Sequence, residues 1–299
     1  MSNGTIVITG ATGNIGSKLA GTLLGKGKKV RVLGRDAARL KALKEKGAEV
    51  VVADLADKAA VAKAFAGAEG VFAMIPPKYD AADFRGYQNK VSESLAEGLK
   101  ASGASNVVHL SSLGADNKDG VGLINGLFDS EARFNGLSAA VTHLRPGFFM
   151  ENTLANIGLI KGKGINGGGL GADVPVPFIA TADIAAAAAE VLGAPAPKGK
   201  TVRELVGPAE LNMAAATRIL GAAIGKKDLP YIHFPLEDFE KALLGLGFSA
   251  NVAKLFVEMT IAQNDGRVSP LNPRGPASAT PTTLEQFAAQ VFAPAYARA

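Results

Sequence analysis

The 299-residue chain is 47% hydrophobic, has no cysteine, no tryptophan and three histidines, and carries a formal net charge of +5. That content is enough for a substantial buried core, while the lack of cysteine excludes disulfides, thiolate nucleophiles and cysteine-ligated metals, and three scattered histidines leave no metal site to expect. The 32 lysines and arginines are spread along the chain and aromatics are few, so no nucleic-acid partner is expected.

The first strand-like run begins by Thr5, which leaves no signal peptide to expect, and the alanine-rich DIAAAAAEVLGAPAP is broken by Glu190 and prolines; a cytoplasmic protein without a membrane segment is the expectation. From there β-branched runs alternate with helical stretches: TIVITG and a helix to about Lys26, KKVRVLGR and DAARLKALKEKG, AEVVVADL and DKAAVAKAFAG. AEGVFAMIPP is followed by a helix from about Asp83 to Ser102, and then by SNVVHLSSLG. Such alternation predicts a parallel sheet with helices on both faces, and runs such as IVIT and VFAMI suit strands covered on both sides. A further helix leads to AAVTHLRPGFF, a sixth strand stopped by Pro146. The glycine-rich segment from Lys161 to Gly171 reads as mobile, PFIA as a strand, Asp183 as the N-cap of the next helix, and TVRELVGP as another strand. Helical patterns dominate from about Leu211 to Val257, and a proline-rich loop precedes a final short helix. The expected fold class is therefore α/β: a doubly wound parallel Rossmann sheet over residues 1–150, with a smaller, mainly helical C-terminal lobe over 151–299 from which 176–206 return to the Rossmann core.

The stretch TIVITGATGNIGSKLAG places Gly10, Gly13 and Gly16 between a buried strand and the helix it feeds, the context in which a glycine triplet signifies a dinucleotide site. Gly10 permits the tight turn, Gly13 the approach of a pyrophosphate and Gly16 the packing of helix on strand, with the helix N-terminus facing the anion. The end of the second strand reads VLGRD. Arg35 offers a planar fork to a 2′-phosphate, which predicts NADP(H); Asp36 either caps the next helix or meets the ribose, and Asp54 in VVADLAD either meets the adenine edge or caps a helix.

TGATGNIG, GRD, VADL, IPP, HLSSLGA, LRPGFFMEN, FIATADIAAAA and PTTLEQFA, running from residue 9 to 288, together resemble the NmrA-like branch of the atypical short-chain dehydrogenase/reductase superfamily. The resemblance implies a Rossmann domain with a small C-terminal substrate lobe. It places Gly10, Thr12, Asn14 and Ile15 at the pyrophosphate, Arg35 at the 2′-phosphate, and Asp54 and Leu55 at the adenine. Ile75 and Pro76 would flank the cofactor ribose, and Ser111 with the Pro146-Gly147-Phe148 corner would lie near the nicotinamide. Phe148, Phe149 and Asn152 would border the substrate pocket, although both phenylalanines also suit an ordinary core; His109 and His143, inside strands, read as core histidines.

Short-chain dehydrogenases of the common type use a tyrosine four residues before a lysine, whose charge lowers the phenol's pKa. No tyrosine here has a lysine at that spacing, no lysine lies between Lys118 and Lys161, and the helical slot in LINGLFDSEARF carries Leu127 and Phe128. Two function classes survive. One is an NADPH-dependent reductase delivering hydride to a quinone, azo or similar conjugated small molecule, for which water supplies the proton and Ser111 or Asn152 orients the acceptor. The other is a non-enzymatic NADP sensor of the NmrA type, in which the dinucleotide changes affinity for a protein partner. Oxidation of an unactivated alcohol, as in sugar-nucleotide epimerases, needs a base that is not visible here. A second copy of the chain is kept as a candidate partner.

Overall fold

The computed structural model describes residues 4–299. Seven strands form the central sheet: β1 (Thr5–Ile8), β2 (Lys29–Gly34), β3 (Glu49–Val52), β4 (Ala68–Ala73), β5 (Asn106–Leu110), β6 (Ala140–Pro146) and β7 (Lys200–Leu205). Their spatial order is β7-β6-β5-β4-β1-β2-β3, every neighbouring pair is parallel, and the sheet is therefore doubly wound. The order reverses between β1 and β4.

Helices α1 (Asn14–Gly25), α2 (Ala37–Glu45), α3 (Lys58–Phe65), α4 (Phe84–Ser102), α5 (Asn125–Asn135), α6 (Ile157–Lys163) and α7 (Thr181–Gly193) follow in chain order. Alternation of side chains along a strand explains how both faces are covered. Ile6 and Ile8 pack with Leu19, Leu23, Leu40 and Ile184 from α1, α2 and α7, whereas Val7 between them packs with Val61, Leu95 and Phe134 from α3, α4 and α5. Gly98 lets α3 and α4 approach closely, since a Cβ there would stand 2.7 Å from a methyl of Val61.

The rest of the chain builds a lobe around a core that includes Met150, Ile160, Phe178, Leu220 and Phe292. Its main helices are α8 (Met213–Ala223), α9 (Leu236–Gly245), α10 (Ala250–Asn264) and the short α11 (Leu284–Phe287), which Thr283 and Gln286 start with a reciprocal capping box. The loop after β4 ties this lobe to the sheet: the Tyr79 ring stacks on Phe248 at 4.7 Å, Ser249 donates its backbone N–H to Tyr79 O at 2.9 Å, and Phe84 donates its own to Asn251 Oδ1 at 2.9 Å.

Strand β6 ends at Pro146, as expected, and the chain bends at Gly147, where a Cβ would meet Pro177 O at 2.0 Å; Phe148–Phe149 then pairs with the Phe178–Ile179 strand of PFIA in a separate two-stranded sheet. Two local expectations need correction. The N-cap of α7 is Ala180, not Asp183. Asp183 lies inside the first turn and accepts from the N–H and hydroxyl of Thr282 at 3.0 and 2.8 Å, pinning the C-terminal loop instead of the helix end. Finally, the segment 161–171 is fixed rather than mobile. Its Asn166–Gly168 strand pairs with Tyr231–His233, Tyr231 donates to Leu170 O at 2.8 Å, and Asn264 bonds Gly171 N at 2.9 Å and Gly169 O at 3.0 Å. Within it Gly167 serves close packing, since a Cβ there would meet Ile232 O at 2.7 Å.

Candidate functional site

The C-terminal ends of β1 and β4 flank the point where strand order reverses, which is where a doubly wound sheet opens a crevice. Thr9 joins the two ends: its hydroxyl donates to Phe72 O at 3.0 Å and accepts from Met74 N at 2.9 Å. Beyond it Gly10 turns with φ of 63°, a left-handed conformation that suits glycine, and Gly13 donates its N–H to Gly10 O at 3.0 Å. Gly16 is held against this turn so closely that a Cβ would stand 2.4 Å from Gly10 O, a backbone atom that cannot step aside.

The start of α1 differs from the three helices that follow it directly. Asp36, Asp57 and Asp83 cap α2, α3 and α4 with side-chain oxygens, whereas α1 begins at Gly13 with no side-chain cap and no acidic residue in its first turn. Its first N–H groups, from Asn14, Ile15 and Gly16, thus face the crevice end of the sheet as an electropositive cradle, with Thr12 beside it half-buried. A phosphate is the cap that such an end accepts, so the residues present fit the pyrophosphate of a dinucleotide.

At the end of β2, Asp36 accepts from Ala38 N at 2.8 Å, so its carboxylate serves the helix cap. Arg35 is exposed and makes no hydrogen bond or ion pair among the described residues, leaving its guanidinium donors available at the β2 side of the crevice. At the end of β3, Asp54 accepts from Ala56 N at 2.9 Å in a turn, while the cap of α3 falls to Asp57; Leu55 buries its side chain in the core. Ile75 and Pro76 continue from β4, half-buried.

The ends of β5 and β6 carry a polar ladder facing α5, most of which the sequence reading did not single out. Arg145 grips Glu131 through two hydrogen bonds, Nε to Oε1 at 2.9 Å and Nη2 to Oε2 at 2.7 Å, and Ser111 donates its hydroxyl to Glu131 Oε1 at 2.5 Å. The pairing raises the pKa of the Arg145 guanidinium, and Asp116 adds a third charge 3.5 Å from Nη1. Deeper in the ladder, His109 and His143 share a proton between their Nδ1 atoms at 3.0 Å, and their Nε2 atoms meet Ser130 Oγ and Asn135 Oδ1, each at 3.1 Å. Burial holds both rings below the ordinary histidine pKa, so both are satisfied core histidines. The helix α5 has neither tyrosine nor lysine. The signal for the ladder lay in SEAR and LRPG, where a buried arginine on a strand demands a carboxylate on the helix packed against it.

Pro146 is buried beneath the corner, Phe148 packs edge-on against Phe178 with ring centres 5.4 Å apart, Phe149 rests on the main core, and Asn152 is exposed on a short 3₁₀ helix. Phe148 and Phe149 are only half-buried, so each combines a packing role with an accessible edge. A groove of about 710 Å³ runs between α1 and α2, touching the glycine turn at Ala11 and Thr12, and a cavity of about 320 Å³ lies at the opposite, N-terminal edge of the sheet. Neither is lined by Phe148, Phe149 or Asn152. Among the described residues no helix is long and apolar enough to cross a membrane.

Comparison with known proteins agrees with this architecture. An NAD(P)H azoreductase from Xenophilus azovorans is 28% identical over 254 residues, covering 85% of each chain. The crystal structure of an NADPH-dependent quinone oxidoreductase from Escherichia coli superposes with a TM-score of 0.77 at 27% identity, covering 96% of this chain and 99% of that one. The negative transcriptional regulator NmrA, solved with NADP, covers 100% of this chain and 98% of its own at a TM-score of 0.76, but at 14% identity it shares the fold alone. The model of the NmrA-like family matches residues 2–288, nearly the whole length, and with the uncapped glycine turn and the doubly wound sheet it shows that the chain belongs to the NmrA-like family.

Proposed function

We propose that the protein is an NADPH-dependent reductase that delivers hydride to a quinone, azo compound or similar conjugated acceptor without a Tyr-Lys catalytic pair. The observation that carries this reading is the pairing of an uncapped α1 N-terminus with an unengaged Arg35 at the end of β2: one end suits a pyrophosphate and the other a 2′-phosphate. The azoreductase and quinone oxidoreductase relatives supply the acceptor class.

Gly10, Thr12, Gly13, Asn14, Ile15 and Gly16 hold the pyrophosphate, Arg35 the 2′-phosphate, and the segment Asp54-Leu55 the adenine. Ile75, Pro76, Ser111 and Pro146 line the path to the nicotinamide. Phe148, Phe149 and Asn152 face the acceptor. Bound NADPH supplies a hydride, which is two electrons and one proton nucleus, and solvent supplies the second proton that completes a hydroquinone or hydrazine. The chain's part is to hold donor and flat acceptor in contact, a matter of positioning rather than acid catalysis. Glu131 and Arg145 occupy the face of α5 and β6 beside Ser111, and because they neutralise each other they offer the acceptor no free acid.

Purified protein mixed with NADPH or NADH and a panel of quinone and azo acceptors tests the proposal by cofactor absorbance. Turnover above the no-enzyme rate with preference for NADPH is the expected result. Tight NADPH binding with no turnover on any acceptor would instead favour an NADP-sensing regulator, a reading that the absent Tyr-Lys pair also suits.

A further inference from the structure

One polar group at the crevice end of β5 is used only by half. Ser111 is 4% exposed; its hydroxyl donates to Glu131 Oε1 at 2.5 Å and accepts no hydrogen bond among the described residues. Glu131, 6% exposed, has Arg145 Nε on one oxygen at 2.9 Å and Nη2 on the other at 2.7 Å. With guanidinium N–H groups directed at both of its oxygens, the Glu131 carboxyl is placed to accept from Ser111 as well. The single proton of Ser111 is therefore fixed toward Glu131, and what the hydroxyl can offer the crevice is its lone pairs.

That polarity decides which partner it suits. A quinone carbonyl or an azo nitrogen presents acceptor atoms, which two lone pairs repel. With the pyrophosphate at α1 and the adenosine at the β2 side, a dinucleotide spanning the reversal point lays its nicotinamide half over β4, β5 and β6. The donor on that half is the carboxamide N–H. We propose that Ser111 accepts a hydrogen bond from the nicotinamide carboxamide, and that Glu131 is the positioning residue that fixes it as an acceptor, so that Ser111 orients the cofactor and not the substrate oxygen. The inference rests on the dinucleotide reading above and refines it: the proton for the reduced product does not pass through Ser111.

The test measures binding without any acceptor present. Titration calorimetry compares NADP⁺ with its 3-acetylpyridine analogue, in which a methyl group replaces the amide nitrogen, on the wild type, Ser111→Ala and Glu131→Gln. A neutral hydrogen bond sets the scale: the wild type is expected to prefer NADP⁺ by about 3–10-fold, and Ser111→Ala to bind the two within about twofold. In Glu131→Gln the serine hydroxyl is free to rotate, and the preference is expected to fall between those values. Ser111→Ala leaves the Glu131–Arg145 pair whole, so it decides the serine's role even where Glu131→Gln melts early; Glu131→Asp, which keeps the charge and shortens the reach, then reads the positioning role. A wild-type preference retained in Ser111→Ala, above all with a lower kcat at saturating NADPH, would overturn the proposal in favour of a donor to substrate. A preference lost in Ser111→Ala but whole in both Glu131 variants would overturn the role of Glu131. If the wild type binds neither dinucleotide, the dinucleotide reading fails and the proposal falls with it.

Discussion

Arg35 illustrates how a single side chain gains meaning from what its neighbours do. In VLGRD Asp36 turns its carboxylate onto Ala38 N, while Arg35 makes no hydrogen bond or ion pair among the described residues and acts on Asp80 only through its charge. A guanidinium left without an ion pair on an exposed turn gains little for the fold and is available to a phosphate. Arg35→Ala is therefore expected to weaken NADPH binding by about 10–100-fold, the worth of a charge-assisted hydrogen bond, with NADH binding changed by less than about threefold. Dissociation constants for both cofactors, measured by fluorescence titration, check this. Equal losses for the two would remove the 2′-phosphate assignment.

Among the elements, α7 shows why two of the motifs that mark this family stand where they do. Its N-cap is Ala180, which has no side-chain oxygen to offer, and the missing cap comes from Glu151 of the RPGFFMEN stretch, which accepts from Thr181 N at 3.1 and 3.2 Å and from the Thr181 hydroxyl. Lys18, one turn into α1, donates to Thr181 Oγ1 at 2.9 Å and stands 3.7 Å from Glu151. One carboxylate thus joins the helix of the glycine turn, the corner after β6 and the start of α7. Removing a cap costs about 1–2 kcal/mol, and in a chain of this size each kcal/mol moves the melting temperature by roughly 2–4 °C. Glu151→Ala is accordingly expected to melt about 2–8 °C lower with unchanged far-ultraviolet circular dichroism. An unaltered melting curve would show that the cap contributes nothing.

The whole molecule should answer to pH through its two strand histidines. His109 is fully buried and His143 is 1% exposed; burial lowers the pKa of both, and in His109 the charge of His143 lowers it further. Since the Nδ1 atoms share one hydrogen bond, at least one ring must be neutral in the native state. Unfolding releases both to take up protons near pH 6.5, so the unfolded chain binds more protons than the native one below that pH. Stability is complete above about pH 6.5 and is lost as pH falls through that value toward the lowered native pKa values. Melting temperatures between pH 8 and 5 are expected to fall more steeply in the wild type than in His109→Asn, whatever the absolute stability of the variant. Parallel curves would show that the pair does not govern acid sensitivity.

Local chemistry by itself determined much of this protein. The β-α alternation, the continuously apolar strands and the glycine triplet between strand and helix are short-range patterns, so the parallel sheet, the glycine turn and the Asp36 cap, one of the two roles open to that residue, were legible in the sequence. The missing Tyr-Lys pair was equally legible, because an absent residue type needs no geometry. What tertiary structure alone decided are matters of distant partnership. Glu131 and Arg145 are 14 residues apart, Asp183 and Thr282 are 99 apart, and segment 161–171 is held by Tyr231 and Asn264 from far along the chain. Glycine content alone could not tell a hinge from a tightly packed strand, and an acidic residue near a helix start could not reveal whether its own helix or a distant loop would use it. Those outcomes depend on which groups are buried together, where every donor and carboxylate must find a partner, and only the folded chain sets that company.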